Sequence, residues 1–365
     1  GHISDTTGYT YTVTPFDAEM LKYVLETMYR QAGGEILYHG MLSGVAVSEG
    51  RINQISVCSK SGPLTIKSRV FIDATGDGDL AAMGGVDFQL GREQDGLCQP
   101  VTMNMKVQNV DIELIKTCIR QNPADFLEVD LARLERSPRL SLGGFVQALQ
   151  EGRGSGEITF SRECILFFET NNPGEVIINT TRIQKINPTD AWALSWAETE
   201  GRRQAYELFG FMRRRIPGFA SAVLVSTGPN LGIRESRRVK GDYILSADDL
   251  LDGVTFEDEI ACGGYPVDIH SPDGEGTCSK HLAWGAVYGI PYRCLLNNEI
   301  ENLITVGRCI SATHEAGAAV RLSPIAMAVG QAGGTAAAQA VFGGHNPVEL
   351  DYRKLRSALI EGGAY

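Results

Sequence analysis

The chain has 365 residues, more than one ordinary domain, so two domains are expected, with one interrupting the other as an option. Apolar residues make up 43% and charged residues 21%, enough for a sizeable core. With 33 basic against 44 acidic residues the formal charge is −11, and the basic runs at 213–215 and 237–240 are short, which argues against nucleic acid as a partner.

No stretch reads as a membrane span; the nearest, residues 325–342, is rich in Ala and Gly and interrupted by Gln331 and Gln339. The eight cysteines include no CxxC pair and no Cys/His spacing of a zinc or iron–sulfur site, so no metal is expected. Reduced thiols favour a reducing compartment such as the cytoplasm. The chain starts at Gly1 in a polar stretch without Met, which reads as a fragment or processed product; a signal peptide would lie upstream.

In chain order, the first expected element is a helix over residues 15–30. Thr14 is a candidate N-cap, Pro15 fits the first helical position, and Asp17 completes a capping box. Met20, Leu21, Val24, Leu25 and Met28 recur at helical spacing and predict one buried stripe, which Gly33-Gly34 ends. The period then falls to two. Short strands are expected over 35–39, 42–48, 51–59, 64–67 and 70–73, with turns at Glu49-Gly50 and Ser61-Gly62.

Residues 89–289 mix strands and helices without a repeat. A long helix is expected over 190–211, with Arg213–Arg215 near its C-terminus, where cations suit the dipole. Residues 268–279 carry loop chemistry around Ser271-Pro272-Asp273-Gly274. An apolar strand over 302–306 ends at Gly307, and Ser323-Pro324 starts a helix to Val341, stopped by Gly343-Gly344.

Three pieces carry chemistry. The strand Val70-Phe71-Ile72-Asp73 runs into the small-residue turn Ala74-Thr75-Gly76, where a ligand can approach the backbone. The strand Asn302-Leu303-Ile304-Thr305-Val306 ends at Gly307-Arg308, consistent with ligand sites beyond the carboxyl ends of parallel strands. The helix at Ser323-Pro324 opens with unpaired N–H groups, expected at Ile325 and Ala326, and such an end stabilises negative charge. Each piece alone also reads as ordinary architecture: a strand-to-helix turn, a buried strand, a packed small-residue helix.

Together, in this order, they resemble the FAD-dependent oxidoreductases of the glutathione-reductase-like, two-dinucleotide-binding-domain superfamily, and in particular its bacterial FAD-dependent oxidoreductases. The likeness is carried by residues 71–79 with Gly84-Gly85-Val86-Asp87-Phe88, by Gly232-Ile233-Arg234-Glu235-Ser236-Arg237-Arg238 on to Tyr243, and by residues 288–293 and 307–316 on to Gly330-Gln331-Ala332-Gly333. It covers nearly the whole chain and is weakest over 111–215.

The resemblance implies a mixed α/β fold: a Rossmann-like FAD/NAD(P)-binding domain, N-terminally truncated, with an inserted substrate domain. Residues 1–90 and 288–345 would form the FAD domain, 91–287 the substrate or cap domain, and 346–365 a C-terminal tail or helix. It implies FAD as cofactor, with contacts at Leu42, Ala74, Thr75, Gly76, Gly307, Arg308, Ile325 and Ala326. Family members open with a strand, a GxGxxG loop and a helix, which nothing before Thr14 supplies; the resemblance therefore implies an upstream segment of about a hundred residues. Gly330-Gln331-Ala332-Gly333-Gly334 is no substitute, because no strand leads into it.

His314, Arg321 and Arg234 are the candidate catalytic residues. His314 suits proton transfer near neutrality, Arg321 suits a carboxylate or the charge of a reduced flavin, and Arg234 is placed facing substrate between the domains. If residues 234–238 are helical, Arg234, Glu235 and Arg238 instead read as a solvated or domain-bridging salt-bridge face. His270 is a further pocket candidate. The expected activity is hydride transfer between flavin N5 and a small-molecule substrate, with the electron acceptor and oligomeric state open. A flavin-free binding module and a nicotinamide-dependent dehydrogenase stand as alternatives.

Overall fold

The computed structural model describes residues 2–7, 9–10, 12–274 and 276–364. The first helix runs Ala18–Gln31, and its N-cap is Asp17, whose carboxylate accepts from the N–H groups of Glu19 and Met20, rather than Thr14. Pro15 therefore precedes the helix. The expected buried stripe is also corrected: no residue of this helix is buried, and Met20, Val24, Leu25 and Met28 are 39–61% exposed. Its apolar spacing is right, but that face is left largely exposed.

A three-stranded antiparallel meander follows, Met41–Ser48, Arg51–Ser59 and Gly62–Ile66. Glu49 and Gly50 both have positive φ, 51° and 69°, which makes the first turn of the tight, twist-matched kind. Residues 35–39 form no strand. The chain then enters the strand Phe71–Asp73, which pairs in parallel with Leu303–Thr305. A buried side chain ties this pair to the meander: Asn302 accepts from Ile52 N–H at 2.9 Å and donates to the carbonyls of Ile52 at 3.0 Å and Arg69 at 3.2 Å.

The middle of the chain builds a five-stranded antiparallel sheet, in the order Val223–Thr227, Met105–Gln108, Val176–Ile178, Ile165–Glu169, Ser141–Gly144. The helix Ala191–Arg215, capped by Asp190 and ending in Arg213, Arg214 and Arg215, buries Leu208, Phe211 and Met212 in the core of that sheet. A second core joins Tyr288, Ile304, Val306, Val329 and Ala332, and a third joins Ile52, Phe71, Leu80 and Leu303. The helix Ser323–Gly343 lies on the parallel pair, where a side chain at Gly333 would collide with Val306. Its N-cap is Leu322, so Ser323 is the first helical residue and caps nothing.

Residues 268–279 are not all loop. Val267–His270 and Thr277–Lys280 form an antiparallel hairpin, with Val267 paired to Lys280 and His270 to Thr277; the turn chemistry is confined to the tip, where Glu275 lies outside the described residues.

Candidate functional site

The parallel register sets Leu303 beside Phe71, Ile304 beside Ile72 and Thr305 beside Asp73, so the two strand tips emerge side by side. At the first tip Asp73, fully buried, organises the turn. One of its oxygens accepts from the N–H and hydroxyl of Thr75 at 3.0 and 2.7 Å, and the other from Ala81 N–H at 2.9 Å. Gly76-Asp77-Gly78-Asp79-Leu80-Ala81 has glycine-loop spacing after a strand, yet it opens a helix of only six residues, Asp79–Gly84. The amide N–H groups of Thr75, Asp79 and Ala81 are all engaged inside the loop, and the carboxylates of Asp77 and Asp79 are engaged by side chains from elsewhere in the chain. Arg237 bonds Asp79 at 2.7 Å, and Arg308 pairs with Asp77, its guanidinium lying where a Gly76 side chain would be.

The second tip is open. Gly307 has φ +82°, and nothing lies within 4 Å of the position a side chain would take. The helix Ser323–Gly343 contributes its first turn to the same core. Ala326 N–H donates to Leu322 carbonyl at 2.8 Å, because it is the fourth residue of the helix, so the expectation that it is free is corrected. The N–H groups of Ser323 and Ile325 have no acceptor among the described residues. Leu42 sits opposite Val57 in the meander and packs against the third core.

His314 opens the short helix His314–Val320, capped by Thr313, and lines a cleft of about 820 Å³ together with Arg92, Glu163, Ile269 and Glu315. Its Nδ1 lies 2.8 Å from Glu235 Oε1. Arg238 pairs with the same oxygen and also donates to the carbonyls of Ala312 at 2.9 Å and Gly91 at 2.7 Å, while Gln99 N–H donates to the other Glu235 oxygen at 3.0 Å. All three side chains are at most 5% exposed. Residues 234–236 are not helical and 237–239 are a strand, so Glu235 and Arg238 form a buried pair and not a solvated face. A carboxylate on Nδ1 fixes the orientation of the imidazole, with Nδ1–H donating to it.

Arg321 directly follows the His314–Val320 helix. Arg234 donates to Pro100 carbonyl at 2.7 Å, to the Thr102 hydroxyl and to Asn179 Oδ1 at 3.4 Å. Burial, then the Arg321, Arg162 and Arg182 guanidiniums, push Arg234 down to about 9. His270 faces the same four arginines, and burial first and their charge second drive it far below the usual imidazole range. Arg162, Arg182 and Asp268 were not singled out by sequence reasoning; they lie far apart in the chain and share no spacing.

A family model described as FAD dependent oxidoreductase matches residues 1–359. No curated protein matches the chain. Solved structures similar to it include a geranylgeranyl bacteriochlorophyll reductase-like protein from Thermoplasma acidophilum, at 12% identity over 94% of this chain and 59% of that one, with a TM-score of 0.44. The flavin-dependent brominase Bmp2 is similar at 12% identity over 96% and 60%, with a TM-score of 0.43. The L-proline dehydrogenase from P. horikoshii is similar at 11% over 94% and 59%, with a TM-score of 0.37. The chain thus spans about 60% of the length of these structures.

Proposed function

We propose, from the premise that this chain belongs to the FAD dependent oxidoreductase family, that it forms the substrate-bearing part of a flavoenzyme that moves a hydride between FAD and a small organic molecule. The observation that carries this reading is the parallel pairing of Phe71–Asp73 with Leu303–Thr305, which sets two tips more than two hundred residues apart in sequence beside one another.

The described residues fit one side of the cofactor. Gly307 offers an open backbone, Arg308 a cation, and the N–H groups of Ser323 and Ile325 the positive end of a 21-residue helix for the flavin's pyrimidine edge. Ala74, Thr75, Gly76 and Leu42 are proposed to border the adenosine side. None of the described residues forms the family's pyrophosphate loop. When bound, FAD supplies the hydride acceptor or donor at N5. The chain's own residues do the rest: Glu235 orients His314, whose Nε2 exchanges the substrate's proton, and Arg321 and Arg234 orient the substrate. The division into an FAD domain (1–90 and 288–345) and a substrate domain (91–287) belongs to the same proposal.

Titration of the purified protein with FAD, followed by quenching of flavin fluorescence, tests it. Saturable uptake that Gly307→Val weakens at least tenfold, with an unchanged melting curve, is the expected outcome. Uptake indifferent to Gly307 sinks the assignment.

A further inference from the structure

The strand Val267–His270 and its hairpin tip draw four guanidiniums together: Arg182 donates to the carbonyls of Ser271 and Gly276, Arg321 ends the helix packed on this strand, Arg234 is held at Pro100 beside Gln99, whose side chain accepts from His270 N–H, and Arg162 adjoins Glu163, whose carboxylate lies where a Gly276 side chain would be. They come from separate places: Arg162 precedes the strand Ile165–Glu169, Arg182 follows Val176–Ile178, Arg234 lies before the strand Arg237–Val239, and Arg321 follows the His314–Val320 helix. Two are anchored. Arg182 donates to the carbonyls of Ser271 and Gly276, both at 2.9 Å, and Arg234 to Pro100 and Asn179. Two are not. Arg162, 8% exposed, and Arg321 have no hydrogen-bond or ion-pair partner among the described residues, and the Nε of each is sealed from solvent.

No carboxylate among the described residues pairs with Arg162 or Arg321. Asp268 is buried, and its oxygens lie 3.4 Å from the Tyr265 hydroxyl, 3.5 Å from Ser279 Oγ and 3.5 Å from His270 Nε2, with Arg162, Arg234 and Arg321 all unpaired to it. Glu235, the other carboxylate felt by Arg321, is already shared by Arg238 and His314. Buried guanidiniums without counter-charges are costly, and a fold keeps them where an incoming anion completes the pairing. Arg234, Arg321, His270 and Tyr265 are each partly exposed, unlike Arg162 and Arg182. Guanidinium forks match the planar, two-oxygen face of an oxyanion.

We propose that Arg162 and Arg321, backed by Arg234 and Arg182, bind an oxyanion group of the substrate, a carboxylate or a phosphate ester. Describing the ligand as substrate rests on the flavoenzyme reading; the anion site itself does not. Neutral His270 and Asp268, on the same strand, border the bound group and set which neutral portions of the ligand fit beside it.

Calorimetric titration of the protein without added flavin, at an ionic strength held constant with sodium chloride, tests the site separately from cofactor binding. Sodium succinate and glycerol 3-phosphate are the two probes, and ADP is the control for the cofactor's own phosphates. Saturable binding of either probe is expected, and which one binds identifies the class. Arg162→Gln and Arg321→Gln should each weaken it at least tenfold, with partial rescue by Arg→Lys. Without ligand, Arg162→Gln should melt no lower than the parent, because an unpaired buried cation has been removed. No saturable binding, undiminished binding by both Gln variants, or binding of ADP alone overturns the proposal. Flavin uptake that fails while succinate or glycerol 3-phosphate binds overturns only the flavoenzyme reading.

Discussion

Glu235 holds two groups at once. Replacing it with Ala leaves Arg238 buried at 3% exposure with its charge uncompensated, a change that typically costs about 3–5 kcal/mol. Urea unfolding of Glu235→Ala is expected to show a loss of that order; a loss below about 1 kcal/mol would mean that the pair is not the anchor of His314. His270 behaves in the opposite sense to a paired histidine. Its folded pKa lies below the unfolded value of about 6.5, so the unfolded chain takes up the proton first as pH falls. Its share of the stability is complete above about pH 7 and declines below pH 6.5 by about 1.4 kcal/mol per pH unit. Melting curves between pH 7.5 and 5 should therefore steepen for the parent and flatten for His270→Asn. At this scale the sequence drew attention to residues that sit in a run, Gly307-Arg308 and Arg234-Glu235, without disclosing that Glu235 is buried between Arg238 and His314, and it was silent where residues lie apart. Positions 162, 182, 234 and 321 meet only through the sheet, and no local pattern announces that.

Elements were more legible, because their signals are local. The turn at Glu49-Gly50, the helix start expected at 190 and the glycines at 343 and 344 placed the edges of the meander and of two long helices within a few residues. Caps failed where two residues competed: Asp17, not Thr14, meets the first free N–H groups, and Leu322 rather than Ser323 precedes the last long helix. Burial failed for the first helix, since periodicity reports an apolar face and says nothing of what covers it. That gives a direct comparison. Met28→Lys, on that uncovered face, should change the unfolding free energy by less than about 0.5 kcal/mol. Leu208→Ala, fully buried in the helix Ala191–Arg215, should cost about 2–5 kcal/mol. Equal effects in the two variants would mean that the first helix is packed in solution.

Over the whole molecule, three cores divide the labour: one under the antiparallel sheet, one under the closing helix and one joining the meander to the parallel pair. The mixed α/β character and the return of the last strand to the first domain were implied by the family resemblance, whereas the register that sets Leu303–Thr305 beside Phe71–Asp73 needs the fold, because strand register is not encoded locally. The arginine quartet sits inside a chain of formal charge −11. A small anion approaching from far away meets a repelling envelope, and only within about 10 Å, the Debye length at 0.1 M salt, does the inner positive field take over. Modest salt therefore quickens the arrival of such a ligand by veiling the outer charge, while the grip of the sheltered guanidiniums is dulled far less. The shell filters how fast anions enter, and the interior decides which ones stay.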